Sequence, residues 1–323
     1  MNRPIFESVF KNEINSYLDA KLTSGYKEIC YWNALRSFDR FCTQKALTAL
    51  VLSRDISEEW CRKRNNEAAT THYARVNLLK NFIVYLWQKG CNVHLIRDVA
   101  HRETQFQPHI YTEDETKRYF YAVDAYSSSR NRIATIQYPI LFRLLYCCGT
   151  RIGETLGIRK KDVDLNTGII KLHETKNNHE RYVVLGEDLH YLMKRFADKY
   201  FYMLLDDDYI FRSANGGKCT GDNVYDLHRS FLKKANIPFV GNGEGPRVHD
   251  WRHTHAVNAF KQMIDSGMDM YVALPVLSTY LGHKTIYATE RYVRLTMALF
   301  PYINEQFKEK IDEVFGGLFY ETD

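Results

Sequence analysis

The 323-residue chain has no apolar run long enough to cross a bilayer. The longest, Tyr138 to Cys148, carries Pro139 and is broken by Arg143, whereas a spanning helix needs about 20 residues. The seven cysteines are odd in number and none has C-x-x-C spacing. That pattern argues against both a disulfide framework and a zinc ribbon, and it suits a reducing, cytoplasmic setting. The first ten residues hold no continuous apolar stretch, so no signal peptide is expected. Internal repeats and low-complexity tracts are missing as well, which excludes solenoid and fibrous architectures. The last two-thirds lack an excess of either charge, with 28 Lys and Arg against 28 Asp and Glu over residues 108–323. All of the net charge of +5 therefore sits in residues 1–107, which include Arg62-Lys63-Arg64. A basic surface there attracts a polyanion through counterion release, although an ordinary solvated face has the same composition.

What is present is helical periodicity. Ile14, Leu18 and Leu22 recur at spacing four, then Tyr31, Leu35, Phe38 and Phe41, then Leu78-Leu79, Phe82-Ile83 and Leu86-Trp87. Ser53 and Ser57 are candidate caps, and Gly90 stands where a helix would end. Residues 1–100 are expected to form a small helical domain. A polar, aperiodic linker follows at 101–110, and a second domain spans 111–323. Thr112-Glu113-Asp114-Glu115 matches a capping box that opens its first helix. Ile169–His173 and Arg181–Leu185 read as two strands of a hairpin around Thr175-Lys176-Asn177-Asn178. The fold class expected is mainly α with a small β-sheet.

The chemistry concentrates in three segments: Gly149-Thr150-Arg151-Ile152-Gly153-Glu154, His249-Asp250-Trp251-Arg252-His253, and Leu281-Gly282-His283 with Tyr292 nine residues later. Arg151 opens a short helix, where a cation is unfavourable unless an anion joins it. Arg252 precedes Ala256 by four, so it lies near the inward stripe of its helix. An inward guanidinium needs a partner, either a phosphate or Asp250. His249 and His253 superficially match the H-E-x-x-H zinc pattern. Asp250 is one methylene short of the required general base, however, and Arg252 would repel a divalent cation. No metal or other cofactor is expected. Tyr292 competes with Tyr287 for the role of nucleophilic phenol, and both have the bland reading of half-buried core aromatics.

Taken together and in order, these residues resemble the tyrosine recombinases, the phage integrase family. That family is marked by Arg in G-x-R-x-x-E, Lys in a β-hairpin, H-x-x-R, Gly-His, and Tyr nine residues on. The resemblance implies a SAM-like helical core-binding domain over residues 1–100 and a mixed α+β catalytic domain after it. It implies catalytic roles for Arg151, Lys176, His249, Arg252, His283 and the nucleophile Tyr292, with Glu154 in support. The activity implied is site-specific DNA recombination, as in integration, excision or transposition of a mobile element. Strands would be cut and rejoined through a 3′-phosphotyrosyl link, without metal or ATP. The partners implied are double-stranded DNA and three further copies of the chain, a tetramer on two DNA sites, with no membrane involvement. A C-terminal helix carrying Ile303, Phe307, Ile311 and Val314-Phe315 would dock either on a neighbouring protomer or on its own domain. Candidate DNA contacts are Arg62, Lys63, Arg64 and Arg75. Rival readings are a type IB topoisomerase, a non-catalytic DNA-binding protein and a metallopeptidase.

Overall fold

The capping and periodicity signals of the first hundred residues resolve into four helices in the computed structural model. It describes residues 3–99, 107–129, 131–173, 180–239, 245–283 and 287–303, the side chains of 287 and 288 excepted. The chain divides into two units, 1–106 and 107–323.

In the first unit lie α1 (Lys11–Thr23), α2 (Ile29–Gln44), α3 (Arg54–Cys61) and α4 (Ala69–Gln88). Ser53 caps α3, its hydroxyl accepting the Ile56 N–H at 3.4 Å. Beyond α4, Gly90 takes the left-handed conformation (φ +82°) that ends a helix cheaply. Ile14, Leu18, Leu35, Phe38, Phe82, Ile83 and Leu86 are buried together. Leu22 is exposed despite its place in the spacing-four series. With 3.6 residues per turn that spacing drifts about 40° per step, so the stripe rotates out of the core. A two-residue parallel pair, β1 (Val51–Leu52) with β2 (Asn92–Val93), is too short for any periodicity to foretell.

Arg75 differs from its expected role. It is only 7 % exposed, and its guanidinium donates to both Glu67 carboxylate oxygens (2.7 and 2.9 Å) and to the carbonyls of Trp60 and Arg62. Its charge is therefore spent inside the unit, pinning the loop that carries Arg62, Lys63 and Arg64. That loop borders a pocket of about 380 Å³ lined by Arg40, Phe41, Trp60 and the same three cations. The Arg64 guanidinium sits 4.8 Å over the Trp60 ring.

The second unit opens with α5 (Glu113–Asp124), started by the expected capping box: Thr112 and Glu115 each accept the other's N–H. Then come α6 (Arg132–Cys147), the single-turn α7 (Ile152–Leu156), and a three-stranded antiparallel sheet of β3 (Val163–Asp164), β4 (Ile169–Leu172) and β5 (Arg181–Val184). In the β4–β5 register Leu172 faces Arg181, and residues 174–179, Lys176 among them, lie outside the described residues. α8 (Glu187–Tyr200), α9 (Gly221–Lys234), α10 (Asp250–Asp265), α11 (Met270–Leu281) and α12 (Tyr287–Leu299) complete it. α11 begins a turn before Pro275 because Asp269 caps it, its carboxylate accepting the Tyr271 N–H at 2.8 Å. α10 packs against α6, α11 and α12, which positions the residues below. The fold is thus mainly helical with small sheets, and no described helix is long and apolar enough to cross a membrane. Of the expected C-terminal helix only Ile303 is described, and it is buried.

Candidate active site

α6 ends at Cys147, and the chain reverses at Gly149 with φ +57°. Only glycine fits there, because an added Cβ would meet the His255 ring at 2.4 Å. That tight approach delivers the Gly149 carbonyl to Arg252 Nη1, which donates to it at 2.7 Å. Two residues on, Arg151 stands at the N-cap of α7.

Glu154 is the hub. Its carboxylate accepts Arg151 N–H at 2.9 Å, Arg151 Nη1 at 2.6 Å and Arg181 Nη2 at 2.7 Å, while Arg252 Nη1 lies 3.9 Å away. Burial pushes Glu154 up, but the guanidiniums of Arg181 and Arg151 outweigh it and hold the carboxyl below its ordinary range. Three guanidiniums thus share one carboxylate, leaving two positive charges in excess.

The C-terminus of α11 gathers the same three arginines. Tyr280 O accepts from Arg181 Nη1 (2.6 Å), Leu281 O from Arg252 Nη2 (2.5 Å) and Gly282 O from Arg151 Nη2 (3.3 Å). The last carbonyls of a helix lack intrahelical partners and carry its negative dipole end, so they attract cations. Gly282, left-handed at φ +67°, turns the chain so that consecutive carbonyls reach different side chains. Arg252 is 1 % exposed, and burial with the neighbouring Arg151 cation lowers its pKa to about 10, still charged at neutral pH. The Arg151 side chain remains 19 % exposed, so it forms the accessible edge. Asp250 does not take Arg252; its carboxylate accepts the Arg247 N–H at 2.9 Å.

His283 Nε2 lies 3.2 Å from Arg252 Nη2, and Nδ1 lies 2.7 Å from Thr289 Oγ1. A guanidinium only donates, so Nε2 accepts and the ring hydrogen sits on Nδ1. Burial and the cations Arg252 and Arg151 push both His283 and His249 down to about 4. The His249 ring meets that of His253 edge-on at 4.9 Å.

Tyr292 is 3 % exposed, and its Oη lies 3.0 Å from His253 Nδ1. Burial raises the phenol's pKa, and Arg252 works against that rise. The His283 ring stacks nearly parallel to it at 6.0 Å. The structure therefore brings Arg151, Glu154, His249, Arg252, His283 and Tyr292 together. Lys176 and the side chain of Tyr287 lie outside the described residues. Trp251 packs in the core, stacked on Tyr111 at 3.7 Å.

Two residues of the cluster were not among those expected: Arg181 and His253. Arg181 heads β5, the strand after the lysine turn. His253 sits one turn along the helix face from His249, a spacing that had suggested only a metal.

The profile of the phage integrase family matches residues 109–298. The protein y4rB of Sinorhizobium fredii, which carries an integrase/recombinase name, is 23 % identical over 297 residues, covering 88 % of this chain and 93 % of that protein. Tyrosine recombinase XerC of Staphylococcus epidermidis is 24 % identical over 236 residues, 72 % of this chain and 73 % of its own. Among solved structures, the site-specific recombinase XerH, in a post-cleavage complex with palindromic difH substrate, superposes with TM-score 0.63. The two are 16 % identical, with 82 % of this chain and 75 % of that one covered.

Proposed function

Because the chain belongs to the phage integrase family, we propose that it is a site-specific DNA recombinase whose nucleophile is Tyr292. The observation that carries this reading is the twofold positive excess of Arg151, Arg181 and Arg252 over Glu154, beside a buried phenol. A scissile phosphodiester brings one negative charge, and its pentavalent transition state brings two. Guanidiniums already fixed by Glu154 and by the carbonyls of α11 meet that charge without reorganising. Losing one preorganised donor of this kind costs roughly 3–4 kcal/mol of transition-state stabilisation.

Tyr292 attacks phosphorus, leaving a 3′-phosphotyrosyl link and a free 5′-hydroxyl. The link conserves the phosphodiester's energy, so religation needs no nucleotide. His249, neutral above about pH 4, offers its ring N–H to the phosphate oxygens, while His283, accepting from Arg252 on Nε2 and facing Thr289 with Nδ1, holds that guanidinium in place. Lys176, between β4 and β5 in the sequence, protonates the departing 5′ oxygen. The first unit serves as the core-binding domain, touching backbone phosphates through Arg62, Lys63 and Arg64 and so fixing register more than reading bases. The protein works in the cytoplasm as a tetramer on two DNA sites, and the sequence after Pro301 is the candidate for coupling its protomers. Integration or transposition of a mobile element is the setting such an enzyme serves.

The test uses a pool of randomised duplexes, each nicked so that cleavage traps the covalent complex. The parent protein should retain a subset as adducts with free 5′-hydroxyls, and Tyr292→Phe should retain none. Supercoil relaxation without selection of a sequence subset would favour a topoisomerase, and stoichiometric retention without covalency a simple DNA-binding protein. Truncation after Pro301 should abolish pairing of two duplexes in crosslinking while leaving single-site adducts.

A further inference from the structure

We infer that His253 is the proton acceptor for the Tyr292 phenol, and that a phosphodiester seated on the arginine cluster switches it on. This rests on the recombinase reading and adds to it the group that activates the nucleophile.

The contact is direct, with Tyr292 Oη 3.0 Å from His253 Nδ1. Its direction follows from the neighbour. The Arg252 cation bears on the same phenol and can only donate, so any bond it makes there is accepted by the oxygen, and the phenol turns its own hydrogen toward Nδ1. The imidazole then carries its hydrogen on Nε2. Both side chains are buried, His253 at 9 % and Tyr292 at 3 % exposure, so bulk water is a poor competitor for the proton. The other imidazoles are engaged elsewhere: His283 places its nitrogens against Arg252 and Thr289, and His249 presents its ring to His253 edge-on.

Around His253 stand His249 and Arg252 on its own helix, Arg247 just before that helix, and Arg291 with Tyr292 on α12. Every permanently charged group in that set is a cation. Burial first, then these neighbours, push the imidazole down to about 3. Without DNA the proton therefore stays on the phenol, and the nucleophile is silent. A phosphodiester anion on Arg151 and Arg252 offsets those cations, which raises the imidazole's affinity for a proton in a weakly screened interior. The proton on Tyr292 Oη then passes to His253 Nδ1, and the oxygen pair forms the bond to phosphorus. The bond from phosphorus to the 5′ oxygen breaks with its electrons on that oxygen, which takes a proton from the site's acid. Religation runs the same transfers backward, the imidazolium returning its proton to the leaving phenolate.

The decisive variant is His253→Gln, which can still accept a hydrogen bond but cannot take up a proton in the working range. Single-turnover cleavage is measured from pH 6 to 10 on a nicked duplex recovered from the randomised pool. DNA affinity should match the parent, while cleavage at pH 7 falls about 10²–10⁴-fold. The variant's rate should then climb about tenfold per pH unit as hydroxide takes over, where the parent's levels off. Cleavage within about threefold of the parent throughout, or a loss whose pH profile runs parallel to the parent's, overturns the assignment. In the DNA-free parent, ¹⁵N-histidine spectra should show His253 protonated on Nε2 alone; a hydrogen on Nδ1 overturns it independently of how the variant folds. An adduct that survives in Tyr292→Phe overturns the recombinase reading itself.

Discussion

Replacing Glu154 by Gln removes the one anion shared by three guanidiniums and leaves the shape nearly unchanged. The carboxylate accepts three hydrogen bonds of 2.6–2.9 Å and holds Arg252 at 3.9 Å. Taking away one partner of a buried ion pair costs about 3–5 kcal/mol, because the remaining charges stay buried without compensation. A unit the size of residues 107–323 loses about 2–4 °C per kcal/mol. Thermal unfolding of the variant at pH 7 should therefore fall by about 6–20 °C. Glu154 is held below its ordinary range in the fold, so its contribution is complete above the unfolded carboxylate pKa and disappears as pH drops through the folded one. The gap between parent and variant should accordingly narrow in acid. Sulfate in place of chloride should also raise the variant's midpoint more than the parent's, since an oxyanion can sit among the uncompensated cations. A midpoint within about 2 °C of the parent at pH 7, with no convergence in acid, would refute the hub role.

Among the described residues, five histidines of the second unit are depressed by burial, His249, His255 and His283 to about 4 and His228 and His253 to about 3. The unfolded chain takes up protons near pH 6.5 and the folded one does not, so urea stability should drop steeply between pH 6.5 and 4, by up to about 1.4 kcal/mol per pH unit for each histidine. A flat profile there would show that these imidazoles are solvated. Arg75→Ala should destabilise the first unit by about 3–5 kcal/mol, and Arg75→Lys should recover little because Lys cannot reproduce the paired contacts to Glu67. An alanine variant as stable as the parent would return Arg75 to the surface. Gly149→Ala should lower both stability and adduct yield, since its Cβ collides with His255 and shifts the carbonyl that holds Arg252; unchanged melting would show that the turn relaxes freely.

That Arg151, Arg252, His283 and Tyr292 come together could be read from the sequence because each sits in a short motif whose neighbours fix its local geometry. The capping box at Thr112 and the glycine stop at Gly90 were legible for the same reason. Arg181 and His253 were not, since their roles depend on distant partners. Arg181 meets Glu154 across 27 residues and Tyr280 across 99, and His253 meets Tyr292 across 39. Arg75 shows the converse limit. Its charge is plain in the sequence, but its burial against Glu67, eight residues back, is a property of the folded loop. Counting charge locates a basic region without saying which cations face outward.

The most direct test of the account is to digest the trapped protein–DNA adduct and identify the modified peptide by mass spectrometry. The account predicts a 3′-phosphate esterified to Tyr292, on the peptide that begins after Arg291. A DNA link on Tyr287, on a serine or on any other residue would contradict it.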